Sequence, residues 1–134
     1  MGMSAYVLSR VLSDNAAKFH DFAVTCVGRA SRFALAELNS FLSGLTAREL
    51  PDAVTEPPPL TLTPYILNYI TAMVEQACVR RGVAVPAWTR AIQPLSEPVF
   101  ASGLKSLRLH LLTHSPPAFR CRNIFVDSSV GDRI

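Results

Sequence analysis

The chain has 134 residues, of which 49% are hydrophobic and 17% are charged, so it carries enough apolar material to form the core of one domain. Charged or histidine residues interrupt every apolar run before it reaches the roughly 20 residues that a membrane span requires, and the first residues do not follow the pattern of a secretory signal. These features exclude a disordered or membrane-spanning chain. We expect one domain over residues 1–134 that contacts no membrane and works in the cytoplasm.

Cysteine usage agrees with that compartment. Cys26, Cys78 and Cys121 are odd in number, lie far apart and form no C-x-x-C pair. Neither a disulfide framework nor a zinc site is indicated, so free thiols are expected.

Positive charge is concentrated in the second half of the chain. Residues 1–60 contain five basic and six acidic side chains, whereas residues 61–134 contain eight basic and four acidic ones. Eleven of the 13 basic residues are arginines, which suit fixed, bidentate contacts. This distribution indicates an anionic partner.

The first predicted helix spans residues 4–28, because apolar residues recur at helical spacing up to Gly28, and Phe22 is expected in its buried face. The pattern leaves open whether this segment is one helix or two. A second helix is predicted over residues 31–43, with Ser31 as its cap. Its buried stripe is formed by leucines spaced three or four residues apart: Leu35, Leu38, Leu42 and Leu45.

A proline-rich crossover follows. Thr46 and Glu49 match a capping box, T-x-x-E, for a single helical turn that Pro51 is expected to end. Residues 51–63 contain four prolines and are interpreted as an ordered crossover inside one domain.

The strongest helix signal covers residues 64–81. Thr63 is a suitable N-cap, Pro64 suits the first helical position and Gly82 suits the end. Ile70 and Met73 belong to its wide apolar face. Arg80 and Arg81 occupy the last turn, where capping electrostatics is favoured over ligand binding.

The next segment contains Trp88, the only tryptophan, which is interpreted either as a core plug or as a hot spot for a partner. A further helix is predicted over residues 97–113, with Phe100 in its first turns and Leu104 and Leu107 in its buried stripe.

The C-terminal part, about residues 115–134, is predicted to form an extended arm. Phe119 alternates with Arg120 and Arg122 at the period of a strand. We expect residues 119–126 to be a functional surface outside the main core, with Asn123 and Phe125 included. The alternative is that the apolar residues here seal the bundle while the two arginines cap helix C-termini.

No catalytic or metal-binding pattern is present. His110 and His114 have the i, i+4 spacing of helical metal ligands, but no third ligand lies at a telling distance. The ten acidic residues are scattered, and no nucleophile has a neighbouring base pattern. Cys121 lies between two arginines that would favour its thiolate, which alone does not indicate catalysis. We therefore expect no metal, no cofactor and no catalytic residues.

Three stretches resemble a family of poorly characterised bacterial helical proteins. They are Pro86-Ala87-Trp88-Thr89, Pro98-Val99-Phe100 and the string S-P-x-x-F-R-x-R-N-I-F-V at residues 115–126. The resemblance covers about residues 57–130. Members of that family occur alone or fused behind helix-turn-helix modules, some in antitoxin-like settings. This chain lacks a clear DNA-binding module, which argues against a repressor role. The resemblance implies no settled activity and slightly favours an interaction role.

The sequence thus predicts an all-α, single-domain bundle of about five helices with a Pro-rich crossover and an extended C-terminal arm. The predicted function is a non-enzymatic, antitoxin-like protein-interaction module that binds a protein partner or a second copy of the chain. Its candidate binding residues are Trp88, Phe119, Arg120, Arg122, Asn123 and Phe125. The alternative is a nucleic-acid-binding accessory protein, in which the phenylalanines stack on bases. A further alternative is a small enzyme without a recognisable motif.

Overall fold

The computed structural model describes residues 14–28, 31–100, 111–112 and 114–126. The all-α fold class is confirmed. The described elements are helices α1 (Asp14–Val24), α2 (Ser31–Ser43), α3 (Glu49–Ala53), α4 (Pro64–Arg81) and α5 (Pro117–Arg120), the 3₁₀ helix Ala87–Ala91, and strands β1 (Val99–Phe100) and β2 (Ile124–Phe125). The two strands pair in parallel, Val99 with Ile124 and Phe100 with Phe125.

Helix α4 forms the centre of the bundle. Its residues 68–74 are all buried, so it is covered on more sides than a single apolar stripe would require. Helices α2 and α5 both pack against α4, while α1 packs on α2 and α3. Leu38, Ile70 and Met73 are buried as predicted, and Phe22 is half-buried at the edge of the core. Leu104 and Leu107 lie outside the described residues.

Helix α1 ends before the predicted stop. The helix is described from Asp14 to Val24 and does not continue to Gly28. Its end is tightened by 3₁₀-type bonds, in which the Thr25 amide donates to the Phe22 carbonyl at 3.2 Å. The Thr25 hydroxyl donates to the same oxygen at 2.7 Å. The part of the predicted helix before Asp14 lies outside the described residues.

Helix α2 has the predicted bounds and the predicted buried leucines, and the capping box after it is also present. The Thr46 amide donates to Glu49 Oε1 at 3.0 Å, and the Glu49 amide donates to Thr46 Oγ1 at 3.2 Å. These bonds hold the pKa of the Glu49 carboxyl below its usual value. The expectation that Pro51 ends the turn is wrong, because α3 continues to Ala53. Proline is tolerated there since amides in the first turn have no intrahelical acceptor.

Both ends of α4 follow the prediction. Thr63 Oγ1 accepts from the Ile66 amide at 3.4 Å, and Pro64 is the first helical residue. Gly82 ends the helix at a φ of 68°, and the Val83 amide donates to the Cys78 carbonyl at 3.0 Å. This is the Schellman arrangement.

We expect Gly82→Ala to lower the free energy of unfolding by about 1–2 kcal/mol, measured by urea denaturation. An added Cβ at this position meets nothing within 4 Å. The cost is therefore conformational and comes from holding alanine in the left-handed region. Gly82→Asn should cost less, because asparagine tolerates that region. An unchanged unfolding midpoint for Gly82→Ala would contradict this account.

The helix predicted to begin at residue 97 does not begin there. The segment is bent at 96–97 and enters β1 at Val99. The Val99 amide donates to the Asn123 carbonyl at 2.8 Å, and the Phe100 ring stacks on Phe125 with centroids 5.1 Å apart. These long-range contacts override the local start signal. Residues 101–110 and 113 lie outside the described residues.

The C-terminal segment is folded rather than extended at its start. Residues 117–120 are helical, a turn follows, and Asn123 has a φ of 63°. The period-two alternation of residues 119–122 therefore does not form a strand. Phe119 and Ile124 are fully buried, so core packing decides the conformation.

Candidate functional site

The predicted binding residues do not form one exposed surface. Phe119, Arg122 and Phe125 are buried, Trp88 and Asn123 are half-buried, and Arg120 is exposed. The expectation that residues 119–126 lie outside the core is therefore wrong. The alternative, in which the apolar residues seal the bundle, agrees with the burial of Phe119, Ile124 and Val126.

Arg122 joins three elements of the fold. Its Nε donates to Glu75 Oε1 at 2.7 Å on α4. Its Nη1 donates to Asn68 Oδ1 at 2.8 Å and to the Ile92 carbonyl at 2.9 Å, and its Nη2 donates to the Thr89 carbonyl at 2.7 Å. The guanidinium thus pairs with a carboxylate and caps the end of the 3₁₀ helix at the same time. Its role here is structural, because only 6% of the residue is exposed.

Two asparagines extend this polar network. Asn68 Nδ2 donates at 3.0 Å to the carbonyls of both Pro64 and Gln93. Asn123 Nδ2 donates to the Leu95 carbonyl at 2.6 Å, and the Leu95 amide donates to the Arg122 carbonyl at 3.3 Å. The loop after the 3₁₀ helix is therefore tied to both α4 and the C-terminal segment.

Trp88 fixes the crossover. Its Nε1 donates to the Val54 carbonyl at 2.8 Å, and its ring packs against the core. Val54 is fully buried at the start of the crossover. These contacts agree with the interpretation of Trp88 as a core plug.

An apolar surface lies elsewhere, at the corner between α1 and α2. We define the α1–α2 patch as the exposed hydrophobic residues that line grooves at this corner: Val24, Val27 and Phe33. Phe33 is 74% exposed. One groove of about 460 Å³ is lined by Phe33 and Phe22 between the two helices. A second groove of about 490 Å³ is lined by Val24 and Val27 and reaches the crossover.

Phe33 was not among the predicted binding residues, although its position in the sequence indicates that it lies on the exposed side of α2. At about 100° per residue, Phe33 lies roughly 200° around the helix from Leu35, on the side opposite the leucine stripe. A large aromatic residue off the buried stripe of a well-marked helix is a candidate contact residue.

A second surface feature is a cationic cleft between α2 and α4. We define the α2–α4 cleft by its polar lining residues: Asn39, Ser43, Gln76, Arg80 and Arg81. Its volume is about 200 Å³, and Leu42, Met73 and Ala77 complete its lining. No acidic residue lines it within the described ranges.

The described residues contain no group of three side chains that could hold a metal ion. Burial raises the pKa of the Cys26 thiol to about 11 and also raises that of Cys78, which disfavours a nucleophilic thiolate at either position. Cys121 is exposed and free.

No helix in the described part of the chain is long and apolar enough to cross a membrane. The chain matches no protein-family model, no curated protein sequence and no solved structure. The resemblance through residues 115–126 therefore stays a prediction.

Proposed function

We propose that the chain is a non-enzymatic protein-interaction module that binds a protein partner through the α1–α2 patch. The observation that carries this proposal is the 74% exposure of Phe33 on a helix whose opposite side is fully packed. Burying such a side chain in a partner would contribute roughly 1.5–3 kcal/mol. Exposed single hydrophobic residues are common, but this one lines a groove whose lining also includes Phe22 and Ala34.

The surroundings of Phe33 have the composition of a protein interface. Lys18, Asp21 and Glu37 line the same groove, so an apolar centre is bordered by charges of both signs. Such a polar rim around an aromatic anchor is typical of contact surfaces. Mixed charge also allows two copies of the chain to pair across a two-fold axis.

The burial of the C-terminal phenylalanines moves the proposed surface away from residues 119–126. It also removes the stacking side chains on which the nucleic-acid alternative depended, because Phe119 is fully buried and Phe125 is 9% exposed. The antitoxin-like role implied by the resemblance remains part of the proposal. So does a cytoplasmic location, which three free cysteines support.

The decisive test replaces Phe33 by Asp. A photo-crosslinking amino acid at position 33 first identifies the protein that contacts the patch in cells, and its affinity is then measured with purified components. We expect Phe33→Asp to weaken binding about 30-fold or more, the effect of losing a hot spot worth roughly 2 kcal/mol. The thermal midpoint should stay nearly unchanged, because the residue is exposed.

Val79→Asp is the matched control. Val79 is 72% exposed on α4 and lines neither groove of the patch. The Val79→Asp variant should leave the affinity for the partner unaltered. Equal losses in both variants, or none in Phe33→Asp, would contradict the proposal. Sedimentation equilibrium on the wild type separates the two kinds of partner, since only self-association gives a dimer that Phe33→Asp dissociates.

A further inference from the structure

The α2–α4 cleft contains an arginine that the fold holds in place. Arg81 Nε donates to the Leu45 carbonyl at 2.9 Å, and Arg81 Nη2 donates to the Ser43 carbonyl. Arg81 thereby caps the end of α2, a different helix from its own. These bonds use two of the five guanidinium N–H groups and leave three for a ligand. Because the side chain is already ordered, a ligand would not have to order it on binding.

The neighbouring arginine, Arg80, has no partner in the part of the chain that the structure describes. Arg80 forms no hydrogen bond or ion pair with any residue in the described ranges. Glu75, an acidic residue of the same helix, is engaged by Arg122. Gln76 lies four residues before Arg80, so both side chains lie on one face of α4 and line the cleft together. The cleft therefore presents two cations and a neutral amide.

The charge of the cleft suits a single negative charge. The C-terminal ends of α2 and α4 each contribute a partial charge of roughly −0.5 close to the cleft. Two arginines contribute +2, so about one positive charge remains. A planar carboxylate matches this balance and the fork of a guanidinium, whereas a dianionic phosphate would stay partly uncompensated. The volume of about 200 Å³ admits a carboxylate with a few carbon atoms.

We propose that the α2–α4 cleft binds one carboxylate group, between Arg80 and the free N–H groups of Arg81, with Gln76 as a neutral donor. The group comes either from a small free acid or from a glutamate or aspartate side chain of a peptide. This site is separate from the α1–α2 patch and does not rest on the function proposed for that patch.

Side-chain NMR of the full chain tests the site at constant ionic strength. Sodium butyrate, the blocked peptide acetyl-Gly-Glu-Gly-amide and inorganic phosphate are titrated while the Arg81 Nε–H and Gln76 amide signals are followed. Both signals should shift and saturate with a carboxylate. Phosphate should bind more weakly. A peptide at least tenfold tighter than butyrate assigns the source to a protein side chain, and the reverse order assigns it to a free acid.

Arg80→Gln should weaken carboxylate binding at least tenfold. It should not unfold the chain, because Arg80 forms no hydrogen bond or ion pair with another described residue. Arg90→Gln removes an exposed arginine outside the cleft and serves as the control with the same charge change. Phe33→Asp should leave the affinity unchanged, which separates this test from that of the patch. The proposal is overturned if the shifts do not saturate, if Arg80→Gln binds like the wild type, or if phosphate binds more tightly than either carboxylate.

Discussion

Arg122→Met is expected to lower the free energy of unfolding by about 3–5 kcal/mol, because it removes four hydrogen bonds of a buried guanidinium, each contributing roughly 1 kcal/mol. The guanidinium satisfies Glu75, Asn68 and the carbonyls of residues 89 and 92. Methionine fills most of the volume but donates no hydrogen bond. These acceptors would therefore lose their donor in a site from which water is mostly excluded. Urea denaturation with the linear extrapolation measures the loss.

Arg120→Met is the matched control, since Arg120 is exposed two residues earlier and should change stability by no more than about 0.5 kcal/mol. Arg122→Lys should recover only part of the loss, because one ammonium group cannot reproduce the planar fork that spans α4 and the loop. If Arg122→Met and Arg120→Met were equally mild, the polar network would not hold the C-terminal segment in the fold.

Phe119→Ala should cost about 3–5 kcal/mol, because it removes a large, fully buried ring from the interface between α5 and α4. The ring meets Tyr69 edge to face, with centroids 5.1 Å apart and an interplanar angle of 76°. Burial of Tyr69 also raises the pKa of its phenol. Thermal unfolding followed by circular dichroism at 222 nm gives the change.

Phe33→Ala makes the same chemical change at a residue that is 74% exposed and should fall within about 0.5 kcal/mol of the wild type. The pair therefore compares a core phenylalanine with a surface one. A large loss of stability at Phe33 and a small one at Phe119 would contradict the placement of Phe119 in the core and of Phe33 at the surface.

The parts of the fold that the sequence predicted correctly are those that depend on neighbours in the chain. Helix α4 has both predicted bounds, since Thr63, Pro64 and Gly82 act on backbone groups within one turn. The same holds for α2 and for the bonds between Thr46 and Glu49. Helical spacing also identified Leu38 and Ile70 as buried, because one face of a helix is decided by its own period.

The C-terminal segment could not be predicted in this way. The alternation of residues 119–122 is typical of a strand, but the partners of Arg122 lie 30 to 54 residues away in the chain. No local rule reports that Glu75 and Asn68 would form an acceptor site for it. The resulting ion pair and the burial of Phe119 favour a helical turn over the locally indicated extended backbone.

By itself, the sequence determined the helical class, the bounds of α2 and α4 and the composition of much of the core, because these follow from short-range hydrogen bonding and helical periodicity. Only the tertiary structure decided which side chains of the C-terminal segment face solvent. Arg122 and Phe119 are buried, whereas Arg120 between them is exposed. Residue type and local alternation could not separate the two arginines, since the burial of a charge depends on the partners that distant segments bring to it.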